Sequence, residues 1–334
     1  MTTRQRPRAL NLIAWNNGVG LSRDIELLVA ALRRGGDAVV VSALGRGKLR
    51  KWSRPVLMRM RALLHRLSGR SKFDANLMLE HVRPEDFGVA QHQLFVPNPE
   101  WCLPADVALL PRVDGVLVKT RHAVGIFEAQ GCKVAYCGFT SGDRLDASVP
   151  RERAFFHLAG RSSNKGTQRL IALWLRHPQW PTLTILQSPR TAQAIEPAAA
   201  NIVHRVDYID DAELRRLQNA HRFHLCPSET EGFGHYIVEA MSIGAVVVTT
   251  DGEPMNELVT PERGVLVAAN RTGTQHLATT YFFDDAAMAA AIERLVAMPD
   301  DELDRIGANA RRWYLDNDAG FSARMQSALA QLIG

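Results

Sequence analysis

Two carboxylates, Glu231 and Glu239, flank a glycine turn in the stretch from Cys226 to Thr250, which reads CPSETEGFGHYIVEAMSIGAVVVTT. The amides of Gly232, Phe233 and Gly234 stand where a helix is expected to begin. The partial positive charge of a helix N-terminus favours an anion there, and two glycines let a phosphate approach the backbone closely. Glu239 sits about one and a half turns into the helix and has acceptor capacity for both hydroxyls of a vicinal diol such as a ribose. Glu231, just before the glycines, would face the substrate side. Surface glutamates at this spacing also arise by chance, so the chemistry rests on the whole string and not on the pair.

The elements that must position these groups can be read on either side. A strand ending at His224-Leu225-Cys226 leads into the turn, and a helix follows with Ile237, Val238, Met241 and Ile243 on its core face. Gly244 closes that helix, and a second strand spans Val246 to Thr250. A strand, a glycine turn, a helix and a strand in so short a span make half of a doubly wound α/β domain. Further upstream a strand at Phe155 to Leu158 runs into Ala159-Gly160-Arg161-Ser162-Ser163-Asn164-Lys165-Gly166. Arg161 and Lys165 can place two cations beside a diphosphate. At the start of a surface helix the same two residues would be unremarkable.

Pro227-Ser228, Glu231-Gly232-Phe233-Gly234, Glu239-Ala240-Met241, Gly244 and Val247-Val248 together resemble the E-x7-E signature of retaining GT-B glycosyltransferases of family four, the "glycosyltransferase group 1". The Gly160-Arg161 and Lys165-Gly166 pairs resemble the start of that family's second domain. The resemblance implies two Rossmann-like doubly wound domains facing across a cleft, with a C-terminal helix returning to the first. It places Glu231 near the transferred sugar, a diphosphate on Gly232 to Gly234, a ribose on Glu239, and Arg161 and Lys165 beside the leaving group. Tyr208 and Ile209, at the end of a run from Val203 to Ile209, fall where the family lines its base pocket. Asp251 to Glu257 resembles the family's next ligand-side loop. Ala245 departs from the family's usual proline without removing a chemical group.

The chain's 334 residues fit two domains. The expected division is 1–150 for an acceptor-side domain, 151–318 for a donor-binding domain and 319–334 for the returning helix, with Gly138 to Arg153 as linker. Cys102, Cys132, Cys137 and Cys226 show no zinc spacing or disulfide framework, so a reducing cytoplasm is expected. The apolar run Leu10 to Trp15 is too short for a signal-peptide core, and no stretch reaches the roughly twenty apolar residues of a membrane span. Net charge is +5, concentrated between Arg46 and Lys72, where ten Lys or Arg occur without an acidic residue. Leucines and Trp52 recur there at helical spacing. Such a segment is either a core-packed helix with a solvated basic face or a contact for an anionic membrane surface or phosphorylated lipid acceptor. No nucleic-acid motif accompanies the charge, so no nucleic-acid partner is expected.

The first half reads as a β-α-β unit: a strand at Leu10 to Trp15, a turn with Gly18 and Gly20, a helix through Leu32, and a strand at Ala38 to Val41. Arg23 occupies the third position of a dinucleotide fingerprint, and no P-loop lysine follows. The turn either approaches the donor or acceptor, as its counterpart in the family does, or is a purely structural tight turn. Strands at Ala75 to Leu79, Leu94 to Val96, Gly115 to Val118 and Lys133 to Cys137 follow. His81 is the candidate for the histidine that the family places near the donor sugar, with Asn98 and Glu100 as alternatives. Gly264 to Val267 reads as a last short strand, followed by helices at Ala286 to Met298, Asp301 to Asp316 and Gly320 to Ile333.

The resulting expectation is transfer of a sugar, with retention, from a UDP- or GDP-linked donor to an acceptor hydroxyl on a membrane-associated glycolipid, lipopolysaccharide or polysaccharide precursor. It requires no cofactor and no metal, because no Asp-x-Asp follows a strand. A sugar-nucleotide epimerase and a non-catalytic binding subunit share the fold. The first would need more acid/base residues than Glu80 and His81 supply, and the second has less reason to keep Glu231, Glu239, Arg161 and Lys165. The expected location is cytoplasmic, and the membrane reading of 46–72 adds peripheral attachment to the inner face of the plasma membrane.

Overall fold

A computed structural model describes residues 6–15, 20–44 and 71–334. Gly18 and nearly all of the basic segment 46–72 therefore lie outside the described residues. Contacts divide the chain into two compact units, 1–139 with 319–334 and 140–318.

The first unit is built on a six-stranded parallel sheet in the order β2-β1-β3-β4-β5-β6, comprising β1 (Ala9–Trp15), β2 (Ala38–Leu44), β3 (Phe73–Leu79), β4 (Ala90–Val96), β5 (Gly115–Val118) and β6 (Val134–Tyr136). The β1 residues Leu10, Leu12, Ile13 and Ala14 are all buried, as expected for a strand covered on both faces. Helix α1 (Gly20–Arg34) follows β1 and buries Leu21, Leu28, Ala31 and Leu32. The strand order reverses between β1 and β3, so the carboxyl ends of these two strands form the switch point where open α/β sheets take ligands. Helices α2 (Pro104–Val107) and α3 (His122–Glu128) follow β4 and β5.

The second unit has seven strands in the order β13-β12-β11-β10-β7-β8-β9. They are β7 (Glu152–Gly160), β8 (Leu183–Gln187), β9 (Ile202–Val206), β10 (His221–Cys226), β11 (Val246–Asp251), β12 (Val265–Gln275) and β13 (Ala278–Phe283). Leaving out β13, this is the Rossmann order 3-2-1-4-5-6, with its switch point between β7 and β10. Helices α4 (Thr167–Arg176), α5 (Asp211–Ala220), α6 (His235–Ser242), α7 (Met255–Leu258) and α8 (Asp285–Ala297) complete the unit. Its core stacks Phe155 on Phe223 with ring centroids 4.7 Å apart and sets Trp174 edge-on to Phe155. Leu170, Ile171, Leu173 and Trp174 of α4 are buried, and each is worth about 1.5–3 kcal/mol of transfer free energy. That burial fixes the helix and hence the position of its N-terminus.

Three expectations are corrected. The last strand does not stop at Val267: β12 continues to Gln275 and turns at His276 (φ 51°) into β13, which pairs with it antiparallel. Only Val265 and Val267 of β12 are buried hydrophobics, so the outer half carries the mixed polar pattern of an exposed ribbon and lacks a core-strand signature. The two expected terminal helices are one helix, α9 (Asp300–Ile333). Leu303, Ile306, Ala310 and Tyr314 anchor it in the second unit, and Phe321, Met325, Leu329 and Leu332 anchor it in the first, which overrides the local cost of Gly320. The boundary between units falls at Phe139 and Thr140, earlier than 150. Residues 140–146 are not a loose linker: Arg144, Leu145 and Asp146 are bonded to Asp211, Arg215, Gln218 and Asn219 of α5.

Candidate active site

The switch point of the second sheet brings two loops together, 161–166 after β7 and 227–234 after β10. The Glu229 amide donates to the Asn164 carbonyl at 2.9 Å, and a Cβ added at Gly166 would stand 2.8 Å from the Pro227 carbonyl oxygen. Gly166 (φ 62°) and Gly234 (φ 101°) precede α4 and α6 in left-handed backbone conformation, which glycine adopts without a Cβ penalty. Neither helix is closed by a side-chain cap, and an anion can satisfy the leading amides of such N-termini.

Lys165 and Glu231, from the two loops, form an ion pair, with Nζ 2.7 Å from Oε1 and both side chains mostly buried. The Ser228 hydroxyl donates to the same Glu231 oxygen and contacts the Tyr236 hydroxyl. The Lys165 ammonium lies 3.2 Å from the centroid of the Tyr236 ring, a cation–π contact that holds the cation in place. Burial drives the Tyr236 phenol well above its ordinary pKa, so it stays protonated as a hydrogen-bond donor. Ser228 and Tyr236 complete a four-residue constellation that the glutamates alone did not reveal. Both lie in the motif stretch, but only the fold shows that Tyr236 turns back beneath Lys165.

Glu239 is 1% exposed, and its Oε2 accepts from Gln218 Nε2 at 3.0 Å. Phe233 is buried with its ring edge-on to His235. Gly232 is buried in the turn. Arg161 does not join Lys165 at Glu231. Its guanidinium lies 5.1 Å from the centroid of the Tyr208 ring, whose hydroxyl is 2.8 Å from Ser188 Oγ. The Ser188 hydrogen bond, with the Arg161 and Arg190 charges, holds the Tyr208 phenol below its usual pKa. Tyr208 is half exposed, beyond the carboxyl end of β9. Ile209 is partly buried against the Phe156, Leu186 and Leu217 cluster, whereas the Tyr208 side chain turns outward. Beside the α4 N-terminus lies a cavity of about 200 Å³ with the polar residues Ser162, Thr167, Gln187, Thr191 and Glu229 in its lining. Burial raises the Glu229 carboxyl pKa.

The β12–β13 ribbon braces these loops. Gln275 accepts from Asn164 Nδ2 at 2.6 Å, the Tyr281 amide donates to the Glu229 carbonyl at 2.7 Å, and the Tyr281 ring lies against Gly252. The loop 251–257 and the loop 227–231 therefore share one brace.

In the first unit His81 follows β3 at the switch point, after Glu80 in left-handed conformation (φ 66°). His81 Nδ1 donates to Asp106 Oδ2 at 2.9 Å, and Asp106 also accepts from the amides of Val82 and Leu103. Burial works to raise the Asp106 pKa, but the His81 and amide hydrogen bonds outweigh it and leave the carboxyl below its ordinary value. Asn98 accepts from Lys119, which is paired with Asp24 of α1 in the interior, and Glu100 is buried. Of the three histidine-site candidates, His81 sits in an acid/base pair with Asp106. Gly20 is the first residue of α1.

Residues 155–298 match the family described as Glycosyl transferases group 1. That span contains every second-unit residue named for the candidate site. Among solved structures, a sucrose-phosphate synthase from Thermosynechococcus elongatus is similar at 16% identity over 97% of this chain and 99% of that one, with a TM-score of 0.73. A glycosyltransferase from Rickettsia africae is 14% identical over 98% and 99%, with a TM-score of 0.69. Anabaena HepE in complex with UDP-glucose is 15% identical over 97% and 100%, with a TM-score of 0.69. These likenesses establish the GT-B architecture of two Rossmann-like units. No curated protein sequence matches the chain.

Proposed function

We propose that this chain is a retaining glycosyltransferase that moves a sugar from a nucleotide diphosphate donor to an acceptor hydroxyl. The observation that carries the reading is the Lys165–Glu231–Ser228–Tyr236 constellation between two uncapped, glycine-led helix N-termini at a Rossmann switch point. A diphosphate on the α6 amides lies beside the Lys165 cation, which stabilises the charge that develops as the anomeric C–O bond breaks. Glu231, held by Lys165 and Ser228, is the group poised for the transferred sugar, and Glu239 for the ribose. Arg161 and Tyr208 form a cation–aromatic platform for the nucleotide's other end. The acceptor oxygen forms the new bond on the face the diphosphate leaves, and its proton passes to the departing phosphate oxygen. No residue of this chain then needs to form a covalent bond to the sugar.

The UDP-glucose in HepE supports a uridine donor by analogy of fold. Neutralisation by Lys165 and helix amides supports a reaction that proceeds with no divalent metal, and full activity in the presence of a chelator is the expected result. The charge pattern of 46–72 supports an acceptor at an anionic membrane surface, with peripheral attachment from the cytoplasmic side. Among the described residues no helix is long and apolar enough to cross a membrane. Loss of vesicle pelleting on removing the basic side chains of 46–72 tests the attachment.

The direct test is a thermal-shift screen with nucleoside mono- and diphosphates and their sugars. A bound donor raises the melting temperature by mass action, and at about a hundredfold excess over Kd the gain is about 2.7 kcal/mol. No shift with any diphosphate would remove the reading.

A further inference from the structure

Gln218 of α5 is 1% exposed and belongs to no motif, yet it lies between two charged groups. The Arg144 Nε–H donates to Gln218 Oε1 at 2.8 Å, and Gln218 Nε2 donates to Glu239 Oε2 at 3.0 Å. Arg144 is itself locked: its Nη1 holds both Asp211 carboxylate oxygens at 2.8 and 2.9 Å, and its carbonyl accepts from Asn219 Nδ2 and Arg215 Nε. The Arg144 amide donates to Ser242 Oγ, which in turn donates to the Glu239 carbonyl. A single residue at the head of the second unit thus grips both the side-chain partner and the backbone of Glu239.

The chemistry of the relay is directional. A guanidinium has donors only, so it takes the amide oxygen of Gln218 and leaves the NH2 group facing Glu239. That NH2 group can only donate, so Glu239 presents an acceptor oxygen to it and the hydrogen bond orients the carboxylate plane. Recognition of a vicinal diol needs this, because two hydroxyl donors must meet acceptor lone pairs in a set orientation. We infer that Gln218, oriented by Arg144, is the positioning residue that aims the Glu239 carboxylate at the donor's ribose hydroxyls. The inference rests on the ribose role proposed for Glu239.

The test is calorimetric titration of the full chain with UDP, 2′-deoxy-UDP and 3′-deoxy-UDP, and with the guanine counterparts, for wild type, Gln218→Met and Arg144→Lys. Wild type is expected to lose about tenfold or more in affinity when a ribose hydroxyl is removed, the scale of a hydrogen bond to a charged group. Gln218→Met is expected to bind the intact nucleotide about tenfold more weakly and to become nearly indifferent to the missing hydroxyl. An equal loss for intact and deoxy nucleotides would mean general damage to the site and would overturn the inference, as would unchanged affinity for the intact nucleotide. If the methionine variant does not melt cooperatively, Arg144→Lys decides by the same criterion, since it keeps a charge for Asp211 but loses the Nε–H. Wild type that binds neither UDP nor GDP would overturn the donor-site reading itself. Wild type that binds intact and deoxy nucleotides equally would overturn only the ribose role and, with it, the inference.

Discussion

Replacing Lys165 by methionine keeps most of the length of the side chain and removes its charge. The folded state then loses a charge-assisted hydrogen bond of 2.7 Å and a cation–π contact at 3.2 Å, but Glu231 keeps the Ser228 hydroxyl as a donor. A hydrogen bond to a charged group contributes about 1.5–3 kcal/mol, and the residual exposure of both side chains puts the loss at the lower end. In a unit of this size that amounts to about 3–6 °C in melting temperature. The catalytic loss is expected to be larger, because the charge Lys165 faces in the transition state does not exist in the free protein. Removing one preorganised donor of this kind costs about 10²–10³ in rate. The assay is release of nucleoside diphosphate from the donor that gives the largest thermal shift, with melting recorded on the same preparation. A folded Lys165→Met protein with turnover within about threefold of wild type would refute the role given to Lys165.

Glu239→Gln is expected to weaken nucleotide binding about tenfold, because the amide presents an NH2 group to Gln218 or to the diol where an acceptor is needed; unchanged affinity in titration would count against the ribose role. Gly166→Ala forces a Cβ into left-handed backbone and to 2.8 Å from the Pro227 carbonyl, so a loss of about 1–3 kcal/mol and a lower melting temperature are expected; an unaltered melt would show that the two loops are not closely packed. His157 and His224 are buried and held neutral, their pKa values pushed down by burial to about 4 and about 3. Between those values and about 6.5 the unfolded chain binds the protons and the folded chain does not, so stability falls as pH drops from 7 towards 4. Each histidine contributes at most about 1.4 kcal/mol per pH unit, and melting curves at pH 7 and pH 5 that coincide would contradict this.

Much of the second unit is legible in its sequence because its signals are local. A strand followed by glycines and an apolar-faced helix specifies a Rossmann half, and Glu231, Lys165 and the glycine-led helices meet because β7 and β10 are neighbours in that topology. What is not legible depends on pairings across long sequence separations. Arg144 to Gln218 and His81 to Asp106 are contacts between residues whose types are ordinary and whose spacing carries no period. Ile209 and Tyr208 illustrate the limit within one dipeptide: only the packing of α5 against β7 and β8 decides which faces the core. The continuous α9 shows tertiary burial at both ends overriding a glycine that reads as a stop, and the β12–β13 ribbon escaped detection because its outer half buries too little to show a strand pattern.

The most direct measurement of the central claim is proton NMR of the reaction as it runs on an α-linked nucleotide-sugar, following the anomeric signals of donor and first product. Simultaneous appearance of free nucleoside diphosphate and an α-configured product is the predicted result. A β-configured first product, or no release of nucleotide from any donor that binds, would contradict retaining transfer at the Lys165–Glu231 site.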